Sequence, residues 1–182
     1  MNGKRIAIIE ADQTWADRYR LFCQRAYQSA YPRPEIGITA DLFSDTVFGS
    51  QRIKTYFNEL LTPQMDNKFW LAISGHDRIV GGVGCRRHVD YCEMIAFYVD
   101  SKLTGQGIGH QLYRKVHEFA GTLPIQVEVI EYMTDTIRMY EHWGFEVDDT
   151  KAKIAYPWTE WPNAAIDSYQ ALTMVKPVRQ QF

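Results

Sequence analysis

Gly105, Gln106, Gly107, Ile108 and Gly109 stand between an apolar run, Met94 to Val99, and a segment whose apolar residues Ile108, Leu112, Val116 and Phe119 recur at helical spacing. A strand, a glycine turn and a helix start together make a cradle for an anion. Glycine lets backbone N–H groups approach a ligand without a Cβ in the way, and the first-turn amides of a helix have no earlier carbonyl to bond and carry the positive end of its dipole. A phosphate or pyrophosphate suits that chemistry, although the glycines alone are equally compatible with a tight turn. Two phosphate loops can be excluded by their letters. The Walker type needs Lys-Ser or Lys-Thr after its last glycine, where His110 and Gln111 stand; a dinucleotide fingerprint needs a third glycine where His110 or Leu112 stands.

The elements that must hold this loop follow from periodicity. Arg5 to Ile9 reads as a first strand, and Thr14-x-x-Asp17 as a capping-box-like start of a helix with the stripe Trp15, Tyr19, Phe22, Cys23, Ala26 and Ala30, ended by Pro32 and Pro34. Ser50 is placed to cap a second helix with the stripe Ile53, Tyr56, Phe57, Leu60 and Leu61, stopped at Pro63. Phe69 to Ser74, Arg78 to Arg86 and Tyr91 to Val99 then read as an antiparallel meander, with a turn at Gly75, His76 and Asp77. A helix to about Gly121 leads to the strand Ile125 to Ile130, which a right-handed crossover would lay parallel to the strand ending at Val99. Further strands are expected at Phe145 to Asp148 and Ser168 to Lys176. Tyr156 to Pro162 is an aromatic segment that suits a substrate lip, a dimer contact or a cover over the core. No repeat or linker divides the chain, so residues 1–182 are expected to form a single α+β domain. Its sheet is expected to be mixed and mostly antiparallel, with helices on both faces.

Phe97-Tyr98-Val99 followed by Thr104-Gly105-Gln106-Gly107-Ile108-Gly109 resembles the phosphate loop of the GNAT superfamily of acyl-CoA-dependent N-acyltransferases, Arg/Gln-x-x-Gly-x-Gly/Ala after an apolar-x-Val step. Thr104 replaces the usual Arg or Gln, which removes side-chain help to a pyrophosphate but leaves the backbone cradle. Thr134 to Phe145, containing Met139-Tyr140-Glu141-x-x-Gly144-Phe145, is similar to the family's later helix, and Met133 stands where the family usually has Asn. The resemblance implies acetyl-CoA as co-substrate, with Phe97, Tyr98, Val99, Thr104, Gly105, Gln106, Gly107, Ile108, Gly109, His110, Met133 and Thr136 as its contacts. It also implies a splayed parallel strand pair that takes the pantetheine arm like an added strand.

Within that resemblance Tyr140 matches the phenol facing the CoA sulfur, a general acid for the departing thiolate. An ammonium has no lone pair, so a carboxylate must take its proton. Glu93 matches a family base, and a period of two places it on the side of its strand that Phe97 occupies. Glu128 and Glu131 are rivals, and a strand carboxylate paired with Arg86 or Arg87 is the plain structural alternative for Glu93.

The chain is 46% apolar with a formal charge of −2, enough to bury a sizeable core and without a nucleic-acid surface; Arg86-Arg87-His88 reads as a solvated strand end. Cys23, Cys85 and Cys92 lack metal-ligand spacing, so no metal is expected, and they fit reduced thiols of a cytoplasmic protein. Cys92 beside Glu93 suggests a covalent acetyl-cysteine route only weakly, because adjacent strand residues face opposite sides. No membrane span or signal-peptide core is visible. Ala26 to Tyr31, Asp41-Leu42-Phe43 and Asn58 to Leu61 faintly resemble bacterial spermidine/spermine acetyltransferases, whose polycation Glu35, Asp41, Asp45 and Glu59 would attract. The expected activity is acetyl transfer from acetyl-CoA to a primary amine, with homodimerisation implied by the resemblance alone. A protein amine as acceptor, a non-catalytic acyl-CoA-binding module and an ATP-binding domain are the alternatives.

Overall fold

In the computed structural model, which describes residues 6–75, 77–156 and 169–177, one mixed sheet separates two helical layers. The elements in chain order are β1 (Ile6–Glu10), α1 (Ala16–Ala30), α2 (Asp45–Phe48), α3 (Gln51–Leu60), β2 (Asn67–Ser74), β3 (Arg78–Arg87) and β4 (Cys92–Val99), followed by α4 (Ile108–Ala120), β5 (Ile125–Ile130), α5 (Thr134–His142), β6 (Glu146–Val147), β7 (Ile154–Tyr156) and β8 (Tyr169–Lys176). The strand order is β1-β2-β3-β4-β5-β8-β6, with β7 also paired to β8. Every pairing is antiparallel except β4 with β5. This is the expected fold class. β7 and the short α2 are additions to the sequence reading, and residues 157–162 of the aromatic segment lie outside the described residues.

Two caps differ in an instructive way. Ser50 caps α3 as expected, accepting from the Ile53 amide at 3.4 Å. Thr14 caps nothing: Asp12 accepts from the Thr14 amide at 2.9 Å and opens a short 3-10 turn, from which α1 continues at Ala16. Aspartate and threonine both cap well, and the carboxylate wins because it also bonds the Thr14 hydroxyl.

α1 and α3 pack on one face of the sheet through Tyr19, Phe22, Cys23, Ile53 and Phe57, joined by Phe43 and Phe48. Ile108, Leu112 and Val116 of α4 pack on the other face, with Tyr140 and Phe145. Tyr56, read as part of the apolar stripe of α3, is 49% exposed.

A bulge in β4 decides what this frame presents. Gly82 pairs with Tyr98 and Gly84 with Ile95, so Val83 alone stands opposite both Ala96 and Phe97. Ala96 takes a left-handed φ of 48°, a strained conformation for a residue with a Cβ. The buried Tyr19 hydroxyl donates to the Ala96 carbonyl at 2.7 Å, and Gly82 makes room, since a Cβ there would lie 2.5 Å from the Tyr19 ring. Tyr19→Phe leaves that carbonyl without its donor, which is expected to cost about 1–3 kcal/mol and roughly 2–10 °C of Tm, readable by thermal unfolding.

Candidate functional site: a fork between parallel strands

β4 and β5 pair only at Cys92/Ile125, Glu93/Gln126 and Met94/Val127, although β4 runs on to Val99 and β5 to Ile130. The bulge at Ala96 turns β4 away and opens a fork, because a bulge bends and twists the strand that carries it. The Asp100 amide bonds the Val80 carbonyl at 2.9 Å, so by the period of two the amides and carbonyls of Phe97 and Val99 point away from β3 and into the fork. This is the expected splay, and its cause is the bulge.

The glycine loop lies at the end of β4. Gly105 and Gly107 have φ of 81° and 77°, and a Cβ on either would project into open space. The first α4 bond runs from the Gln111 amide to the Gly107 carbonyl at 3.1 Å. The amides of Ile108, Gly109 and His110 therefore have no acceptor within the helix, and none among the other described residues. Thr104 follows a short turn whose cap is Asp100, accepting from the Lys102 amide at 3.0 Å. Free amides at a helix start, with open space beside Gly105 and Gly107, meet the chemical requirement for holding a pyrophosphate.

Tyr140 is 4% exposed and lies among Phe97, Trp143 and Phe145, with ring centroids at 6.5, 6.2 and 5.3 Å. Burial pushes its phenol well above the ordinary tyrosine range, and Tyr31 adds to the shift, so it stays protonated at every working pH. Its hydroxyl makes no hydrogen bond to another described residue. Trp143, which was not singled out in the sequence, also contacts His110 and Tyr113 at 4.8 and 5.1 Å and walls the loop side of the fork. Met133 is the N-cap of α5 and packs with this layer, and Thr136 lies in the first turn of that helix.

Glu93 is not on the Phe97 side of β4. Cys92 and Met94 point into the α4 layer and Glu93 toward α1; the extra residue at the bulge then reverses the alternation, so Phe97 points to α5 and Tyr98 to α1. The Tyr98 ring lies 4.9 Å from Tyr27, and its hydroxyl is 3.0 Å from the Tyr31 hydroxyl. Tyr98 thus turns its side chain to α1, and by the same period of two its amide and carbonyl face β3 rather than the fork. Glu93 is paired with Arg86 at 3.4 Å and with His88 at 3.2 Å. Arg87 bonds the Phe119 carbonyl and lies over its ring, so the basic cluster is engaged within the protein.

Glu128 shares the α1 side with Glu93 and is half-buried. Burial raises its carboxyl above the usual range, the Glu93 charge raises it further, and Lys151 opposes the shift. Glu131, beyond the end of β5, pairs with Lys153 at 2.7 Å near solvent. Tyr132 completes this side, with Arg33 over its ring at 5.3 Å. Tyr31 and Tyr132 carried no local signal, since α1 and the turn after β5 meet only in the fold. Glu35, Asp41 and Glu59 are exposed and dispersed, and Asp45 accepts from Gln24 at 2.7 Å. Cys23, Cys85 and Cys92 are buried and free. No helix among the described residues is long and apolar enough to cross a membrane.

The model of the acetyltransferase (GNAT) family matches residues 36–145, more than half of the chain and both sequence blocks around the fork. The chain belongs to the GNAT family. Its fold is similar to that of PaiA N-acetyltransferase from Thermoplasma acidophilum in complex with coenzyme A: 15% identity, TM-score 0.66, 95% of this chain and 99% of that one covered. It is also similar to the ribosomal-protein-S18-alanine N-acetyltransferase of Escherichia coli, at 16% identity and TM-score 0.65, covering 98% and 97%. NAA60 of Arabidopsis thaliana in complex with a bisubstrate analogue gives 12% and 0.64, covering 94% and 98%. No curated protein matches the chain. Identities this low speak for the GNAT fold and leave the acceptor open.

Proposed function

We propose that this GNAT protein transfers the acetyl group of acetyl-CoA to a small primary amine by direct attack within a ternary complex. The observation that carries the reading is the fork itself: outward amides at Phe97 and Val99, unbonded amides from Ile108 to His110, and the phenol of Tyr140, whose hydroxyl bonds no other described residue. Acetyl-CoA supplies an activated thioester whose pantetheine amides match the open edge of β4 and whose pyrophosphate matches the loop.

The reaction needs two proton movements. A carboxylate takes one proton from the ammonium, and the freed amine nitrogen bonds the thioester carbon. The C–S bond then breaks, Tyr140 gives its proton to the thiolate, and the second proton lost by the nitrogen restores the phenol. Burial makes Tyr140 a weak acid. It gives up its proton only because a thiolate formed in the same apolar space is a strong base there.

The acceptor class is taken from the α1 side of the sheet, which Glu93 and Glu128 share with Tyr31, Tyr98 and Tyr132 and where both carboxylates lie close enough to act on Tyr91. Carboxylates with tyrosine walls suit a cationic alkylamine, polyamines included. Calorimetry is expected to show acetyl-CoA binding without ATP binding, and thiol release is expected with one class within a panel of polyamines, drug amines, amino acids and peptides. Binding without release on any amine would reassign the protein as an acyl-CoA sensor, and absent binding would remove the reading altogether.

A further inference from the structure

A cavity of about 640 Å³ opens between the C-terminal half of α1, the start of β3 and the turn after β4. β3 borders β4 on the edge opposite β5, so this space lies across β4 from the fork. The residues that line it include none of 103–110, and it shares only Tyr98 and Val99 with the expected cofactor contacts. Phe22, Arg25, Ala26 and Ser29 recur at helical spacing and turn one face of α1 toward it. Phe22 and Ile79, both buried, form an apolar floor with Ala26.

The charges around this floor are unequal. Arg25, Arg78 and Lys102 stand against one carboxylate, Asp100. Both Asp100 oxygens are engaged: Oδ2 accepts from Arg78 at 2.6 Å and Oδ1 from the Lys102 amide at 3.0 Å. On the same helix as Arg25, Arg18 is held by the Asp77 carbonyl, and Arg20 by Asp17 and the Phe48 carbonyl. The Arg25 guanidinium and the Lys102 ammonium, both exposed, form neither an ion pair nor a hydrogen bond among the described residues. Two uncommitted cations over an apolar floor suit a small organic anion: charge-assisted hydrogen bonds hold the head group, and the floor takes the body. The cavity adjoins the carbonyl end of α1, where the helix dipole opposes a phosphate dianion more than a carboxylate.

We propose that this cavity is a second binding site, for a small carboxylate with an apolar or aromatic body, whose head group is held by Arg25 and Lys102. The proposal is independent of acetyl transfer, since neither the glycine loop nor Tyr140 takes part. Its probe is 3-phenylpropionate, titrated by calorimetry into the full chain with and without coenzyme A. The counterparts are 3-phenylpropanol, which lacks the charge, and acetate, which lacks the body. One equivalent of 3-phenylpropionate is expected to bind, with the same affinity whether or not coenzyme A is present, and both counterparts at least about tenfold more weakly. A variant carrying Arg25→Gln and Lys102→Gln is expected to lose about tenfold or more in affinity for the probe, with coenzyme A binding and Tm unchanged because both side chains are exposed. Ala26→Phe should abolish probe binding by filling the floor, and Ser29→Trp, at an exposed position on the same face, should do so without touching the core. Absent probe binding at millimolar supply, equal binding of the alcohol, or a double variant with wild-type affinity overturns the proposal. Displacement of the probe by coenzyme A also overturns it, since the cavity then belongs to the cofactor. A chain that binds the probe and no coenzyme A leaves this site standing and brings down the functional reading instead.

Discussion

Tyr140→Phe is expected to lower kcat about 10²-fold, the scale of a lost proton donor, while leaving thermal stability and acetyl-CoA affinity nearly unchanged. The ring keeps its packing and only the hydroxyl is lost. The phenol lies among Phe97, Trp143 and Phe145 with its hydroxyl bonded to no described residue. The hydroxyl is not among the fully enclosed, unpartnered groups, which include that of Tyr113 instead, so phenylalanine keeps the ring packing and changes stability little. Binding is held by backbone groups of β4 and the loop, which the substitution does not touch. Thermal unfolding, calorimetry and steady-state kinetics on one preparation decide the matter: a structural tyrosine would lose stability and keep its turnover. A variant that keeps its kcat would take Tyr140 out of the chemistry.

Gly107→Val is expected to weaken acetyl-CoA binding by roughly 10- to 100-fold, in line with the strain of 1–3 kcal/mol stored by a side chain forced to positive φ. Gly107 sits at φ 77° as the N-cap of α4, and a Cβ there would point into the open space above the first-turn amides. Valine therefore has two ways to do harm: it pulls the turn out of its left-handed conformation, or it places a methyl group where a phosphate oxygen would lie. Gly121→Val is the control. Gly121 has φ 64° at the other end of α4 and also opens on free space, so its variant should lose stability and keep its affinity. If both variants lower affinity alike, the effect is general strain and the cradle has no part in it.

Local features were legible where local chemistry fixes them. The loop turns because glycine at Gly105 and Gly107 accepts a positive φ, and α4 starts at Ile108 and stops before Gly121, as its apolar spacing requires. Tyr140 could be singled out through the resemblance of the Met139 to Phe145 block, and it is the buried residue of α5. The sheet class was legible too, since helices crowd the first third of the chain and the meander follows. The Thr14 cap was misread because two good capping residues lie two positions apart and only geometry chooses between them.

Long-range pairing decided the rest. Ile95-Ala96-Phe97 contains neither Gly nor Pro to mark a bulge, so a strict alternation put Glu93 and Phe97 on one side of β4; the register against Gly82 and Gly84, with Tyr19 bonded to the Ala96 carbonyl, separates them. The engagement of Glu93 and the meeting of Tyr31 with Tyr98 join residues from 5 to 67 positions apart. Spacing thus located a glycine turn at a helix start, and the family resemblance picked out Tyr140. Which side chains of β4 share a face was decided by where that strand bends, because one inserted residue reverses every side chain that follows it.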